Sequence, residues 1–187
     1  NFDKEVVVSG TEIHVRVTAD AGVLPENTTI DAKAVEGEDE QKAIDALRNS
    51  VETETTKISS VAIIDVTLRD ASGNEVQPKD GKAVKVTFTN TDFSDDEASA
   101  RHISDDATTV EPLNVDANNT NKDSQTFETT HFSEFATFST TDIAVAGVDA
   151  ANYSIQKGKT VNVVGSTASA AKYPGHDWTI ESQDPSN

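Results

Sequence analysis

Thr11-Glu12-Ile13-His14-Val15-Arg16-Val17-Thr18-Ala19 decides the fold: Ile13, Val15, Val17 and Ala19 are apolar, and His14, Arg16 and Thr18 between them are polar. Successive side chains of an extended chain point to opposite faces, so this spacing predicts a strand with one buried face. The same period recurs in Ile30, Ala32 and Ala34, in Ile64, Val66 and Leu68, and in Val84, Val86 and Phe88. These are four strands facing a common core. Turn residues separate them: Leu24-Pro25-Glu26-Asn27, Asp70-Ala71-Ser72-Gly73-Asn74 and Pro78-Lys79-Asp80-Gly81, where fixed or positive φ lets the chain reverse. The expected fold class is mainly β, an antiparallel β-sandwich.

One segment breaks the period. From Glu38 to Val51, Ala43, Ile44, Leu47 and Val51 fall at helical spacing. Glu38, Asp39 and Glu40 open the first turn and Arg48 lies nearer the end, the charge order that the helix dipole favours. One amphipathic helix on an end of the sandwich is expected. Asn90 to Ala98 reads as a polar loop, and weaker strands are expected around Arg101 to Ser104, Val110 to Val115, Thr126 to Thr129 and Glu134 to Ser139.

Residues 142–150 are mostly small, which marks a linker between a sandwich over 1–141 and a second unit over 151–187. In that second unit Lys157-Gly158-Lys159 is a turn, Val161 and Val163 alternate, and Trp178 and Ile180 mark a strand. The chain starts at Asn1 without Met or a leader-like segment, and is expected to be an internal excerpt of a longer protein.

Cys and Met are absent, which excludes disulfides and thiolate metal sites. The net charge of -18 repels phosphate backbones and anionic membrane surfaces, so no nucleic-acid partner is expected. The sequence contains no apolar run long enough to span a bilayer as a helix, and no membrane insertion is expected. The acidity itself reads as a solvated, self-repelling surface.

Several elements occur in an order that resembles a ZU-five-type β-sandwich of Gram-positive surface proteins. These are Ala21-Gly22-Val23-Leu24-Pro25-Glu26-Asn27-Thr28-Thr29-Ile30, the helix, the segment Ile64 to Val76, and Thr130-His131-Phe132-Ser133-Glu134-Phe135-Ala136. The resemblance covers about 1–140. Lys157 to Val163 and Trp178 to Pro185 resemble the first half of a group-two bacterial immunoglobulin-like domain, a partial β unit because a complete one needs about 100 residues. The two resemblances imply an extracellular, cell-wall-associated or secreted multi-domain protein in which such modules act as stalk, spacer or adhesive units.

Chemistry-bearing residues are sparse. His14, His102, His131 and His176 stand in no zinc-protease spacing and read as scattered surface histidines. Asp92, Asp95, Asp96 and Glu97 supply hard oxygen donors suited to calcium, but without the glycine and terminal glutamate of a helix-loop-helix site they read as a solvated acidic loop. No cofactor or metal is expected. Lys85 lies in a central strand, on its polar face, where no crosslinking partner can be assigned.

His131-Phe132-Ser133 is different. The resemblance implies a precedent, since eukaryotic ZU-five proteins of the death-domain class cut themselves between the Phe and Ser of this tripeptide. There the Ser133 hydroxyl would attack the Phe132 carbonyl while His131 takes the proton. The alternative is structural, with Phe132 and Phe135 anchoring the last strand and Ser133 capping a turn. The expected function is a non-catalytic structural, spacer or presenting module whose partners are the neighbouring domains of the parent chain. Two alternatives stand beside it: a single-turnover self-cleaving module, and a module that binds a host protein or glycan.

Overall fold

The computed structural model describes residues 1–142 and two short strands, β11 (Val148–Asp149) and β12 (Ser154–Ile155). The chain divides into two compact units, one of Asn1–Glu52 with Ile58–Thr140, the other of Thr53–Lys57 with Thr141–Asn187. In the second unit β11 and β12 pair antiparallel, and Thr56 Oγ1 donates to Asp142 Oδ1 at 2.9 Å. The expected Lys157 turn, Val161 strand and Trp178 strand lie outside the described residues.

The first unit is built from β1 (Phe2–Val7), β2 (His14–Ala19), β3 (Thr29–Ala34), α1 (Gly37–Val51), all but the first residues of β4 (Thr56–Arg69), β5 (Glu75–Val76), β6 (Val84–Thr89), β7 (Ser99–Ile103), β8 (Val110–Val115), β9 (Ser124–Thr129) and all but the last residues of β10 (Glu134–Asp142). All ten strands belong to one antiparallel sheet in the order β1-β2-β6-β9-β8-β7-β10-β4-β3, with β5 on β4. The sheet folds over and nearly closes into a barrel-like sandwich. A parallel bridge joins Ser9, just past β1, to Lys33 of β3, and the Ser9 amide donates to the Ala32 carbonyl at 3.2 Å. The two end strands thus meet, which protects edges that would otherwise recruit another chain.

The alternating residues fill this interior. Val15 and Val17 of β2, Ile64, Val66 and Leu68 of β4, Val84, Val86 and Phe88 of β6, and Phe127 and Phe135 of β9 and β10 form one buried cluster. Ile13, expected there too, is only partly buried against it. The turns are as the sequence predicts. Asp70 Oδ1 accepts from the amides of Ser72 and Asn74 at 2.8 and 2.9 Å, and Gly73 takes φ +85°.

A second cluster lies on the other face of β4, β7 and β10, where Ile63, Ile103, Ala136 and Phe138 are covered by Ala43 and Leu47 of α1. The helix therefore rests on an outer face of the sandwich, not on its end. β4, β7 and β10 are consequently covered on both sides. Along β7, Ala100 belongs to the inner cluster and Ile103 to the helix-covered one. Strands β1 and the first part of β4 were not expected, because Asp3, Lys4 and Glu5 obscure any apolar pattern. These charges are tied across the sheet, Asp3 to Arg16 by two hydrogen bonds of 2.6 and 2.7 Å and Glu5 to His14 Nδ1 at 2.9 Å.

Candidate functional site

His131, Phe132 and Ser133 form the turn between β9 and β10, and each is fastened separately. Thr129 Oγ1 donates to the His131 carbonyl at 2.7 Å and accepts from the His131 amide at 3.2 Å. Phe132 is buried in the sandwich, its ring edge-on to Phe135 with centroids 5.6 Å apart. The Ser133 carbonyl accepts from the Val66 amide of β4 at 2.9 Å.

Gln77, immediately after β5, clasps Phe132 from the side. Its Oε1 accepts from the Phe132 amide at 2.7 Å, and its Nε2 donates to the Phe132 carbonyl at 3.0 Å. A side-chain amide thus copies a strand neighbour. An open depression lined by Gly22, Leu24, Pro25, Val76 and Gln77 reaches this side chain.

The Ser133 hydroxyl turns to β7. Its Oγ lies 2.6 Å from His102 Nε2 and 3.1 Å from the Ile103 carbonyl. His102 has the inward parity of Ala100, and its ring stands 5.8 Å from that of Phe135. With a side chain 12% exposed it is no surface histidine, contrary to expectation. His131 is exposed, and its ring meets that of His102 edge-on with centroids 5.8 Å apart. The serine's imidazole partner is therefore His102, where the tripeptide alone suggested His131.

Burial holds the His102 pKa below the ordinary imidazole range, with the nearby His131 acting in the same direction. Glu111 and Asp105 oppose the shift. Glu111 Oε2 stands 3.7 Å from His102 Nδ1, a charge contact too long for a direct hydrogen bond. Its carboxylate favours the tautomer with a proton on Nδ1, which leaves the Nε2 lone pair toward Ser133.

The adjacent Glu134 faces the helix side with Ala136 and Phe138. Burial raises its carboxyl to about 7, and Asp65, Asp105 and Asp39 add to the shift. Burial likewise raises Asp65, against the pull of Lys33, whose Nζ is 3.8 Å away.

Two of the other carboxylates singled out in the sequence, Asp95 and Asp96, accept from backbone amides. Asp95 Oδ1 accepts from the Glu97 amide at 2.9 Å, and Asp96 Oδ1 accepts from the Lys122 amide at 3.2 Å. The Glu97 carbonyl accepts from Ser139 Oγ at 2.8 Å, while Asp92 takes φ +50° beside the buried Phe93. Among the described residues no three His, Asp or Glu side chains gather to hold a metal, and Asp92, Asp95, Asp96 and Glu97 are not drawn together. Lys85 is exposed and pairs with Asp116 at 3.7 Å.

Gln77, His102 and Glu111 are the members of this constellation that sequence reasoning missed. Comparison of the chain with protein-family models, with curated proteins and with solved structures finds no match.

Proposed function

We propose that the chain is a non-catalytic structural or presenting module of a secreted, wall-associated bacterial surface protein of many domains. In this reading residues 1–141 are a ZU-five-like sandwich and the remainder begins a bacterial immunoglobulin-like unit. The observation that carries it is the near closure of the ten-stranded sheet, with the ends of β1 and β3 bridged at Ser9 and Lys33. Such a body resists edge-to-edge association, and a net charge of -18 keeps copies apart on a crowded surface. Its partners are the neighbouring domains of the same parent chain. Antibodies against residues 1–142, applied to intact cells that make the parent protein, test the location. Surface labelling lost after brief external protease treatment is expected; antigen confined to the cytosol would refute the reading.

A second reading is favoured by one specific contact, the 2.6 Å approach of Ser133 Oγ to His102 Nε2 beside a carbonyl already held by an amide donor. In it the module cuts itself once between Phe132 and Ser133. Denaturing electrophoresis of the purified chain distinguishes two pieces, absent in Ser133→Ala, from a single intact band.

A further inference from the structure

We propose that His102 is the proton acceptor for Ser133, and that Gln77 polarises the Phe132 carbonyl, in a single self-cleavage of the Phe132–Ser133 bond. This assignment rests on the self-cleavage reading and replaces His131 as the base.

A hydroxyl becomes a nucleophile when a base within hydrogen-bond reach takes its proton. His102 Nε2 is at that distance, 2.6 Å from Oγ. The Ile103 carbonyl at 3.1 Å is the hydroxyl's other acceptor and fixes Oγ when the imidazole proton sits on Nε2. His131 instead engages Thr129 through its backbone and stands with its exposed ring edge-on to His102. Within one tripeptide turn, His131 is sequence-adjacent to the bond, whereas His102 is spatially adjacent to the reacting oxygen.

The electrophile is prepared from the other side. Gln77 Nε2 donates to the Phe132 carbonyl oxygen at 3.0 Å, where negative charge develops as the carbonyl becomes tetrahedral. Gln77 Oε1 accepts from the Phe132 amide at 2.7 Å and the Val66 amide holds the Ser133 carbonyl at 2.9 Å. The peptide is thus fixed on both flanks. Glu111, 3.7 Å from Nδ1, is a positioning residue that favours the useful tautomer through its charge alone.

The step balances without a cofactor. Ser133 Oγ bonds to the Phe132 carbonyl carbon, and its proton passes to His102 Nε2. The carbon–nitrogen bond then breaks, and the imidazolium returns the proton to the departing Ser133 nitrogen, leaving an ester. Water then adds to the ester carbon, and the bond from that carbon to Ser133 Oγ breaks. The products are a Phe132 carboxylate, the Ser133 hydroxyl and a new amino terminus at Ser133.

The test follows the 187-residue chain after cell-free synthesis, with and without hydroxylamine, which intercepts an ester. The parent chain, H102Q, H131Q, Q77M and S133A are compared, with far-UV circular dichroism to verify folding. Pieces ending at Phe132 are expected from the parent chain and from H131Q. H102Q should slow their appearance by about 10²–10⁴-fold, the usual contribution of a general base. Added imidazole should restore part of the rate to a folded His102→Gly chain, a rescue that a packing role would not give. Q77M should slow formation of the ester trapped by hydroxylamine. Cleavage lost in H131Q but kept in H102Q overturns the assignment and leaves self-cleavage standing. A parent chain that stays whole even in hydroxylamine refutes both.

Discussion

Ser133 Oγ and His102 Nε2 meet at 2.6 Å across 31 residues of sequence and fasten the turn before β10 to β7. Whatever its chemistry, this contact satisfies a largely buried imidazole nitrogen. Ser133→Ala leaves that nitrogen without its partner and should cost about 1–3 kcal/mol, toward the lower end because Ser133 is only part-buried. Urea unfolding followed by far-UV circular dichroism measures it. An unchanged midpoint would mean that water replaces the hydroxyl at no cost.

Leu68 and Ile13 provide a matched pair for the interior. Leu68 is fully buried on β4, so Leu68→Ala removes a side chain from a closed core and should cost about 2–5 kcal/mol. Ile13 is only partly buried, and Ile13→Ala should cost clearly less. Equal losses at the two positions would contradict the core assignment.

Glu134 gives the fold a pH dependence opposite to ordinary acid denaturation. Its carboxyl is raised to about 7 from 4.5, so the folded chain binds this proton more tightly than the unfolded chain does. The stabilisation is complete below the unfolded value and is lost as pH rises through about 7. Asp65, also raised, acts in the same sense. His102, lowered by burial, acts oppositely, its stabilisation present above the ordinary imidazole value and lost as pH falls. Glu134→Gln isolates the first effect: the thermal midpoint should fall less between pH 5 and pH 8 than in the parent chain. A parallel fall in both proteins would show that Glu134 titrates normally.

Calcium should leave the thermal midpoint of the first unit unchanged. Asp95 and Asp96 direct their oxygens to the amides of Glu97 and Lys122, and Asp92, Asp95, Asp96 and Glu97 do not converge. A midpoint that climbs with calcium concentration would reveal a site assembled by the ion itself.

Strands β2, β3 and β6 were legible because each presents one apolar face over a run of six residues. The helix was legible because Ala43, Ile44 and Leu47 share a face; its seat was not, since that depends on β4, β7 and β10 lying side by side. β1 was hidden by charges that make sense only beside Arg16 and His14. The tripeptide 131–133 could be picked out from sequence, whereas its partners could not. β7 is covered on both faces, so apolar residues fall on both parities and the inward direction of His102 cannot be read from alternation. That direction is set by the pairing of His102 with Phe135, a long-range register. Gln77 likewise acts 55 residues away, as a strand substitute with no local signal.

The proposed role is that this sandwich spaces or presents other domains and, apart from one cleavage of its own chain, binds no ligand and turns over no substrate. In-frame replacement of residues 1–141 in the parent protein by an unrelated β-sandwich of similar length, assayed on cells for the parent's surface function, tests it most directly. Deletion should impair that function, and the unrelated sandwich should restore it. Restoration by the native sandwich alone, and by no other of the same length, would contradict it.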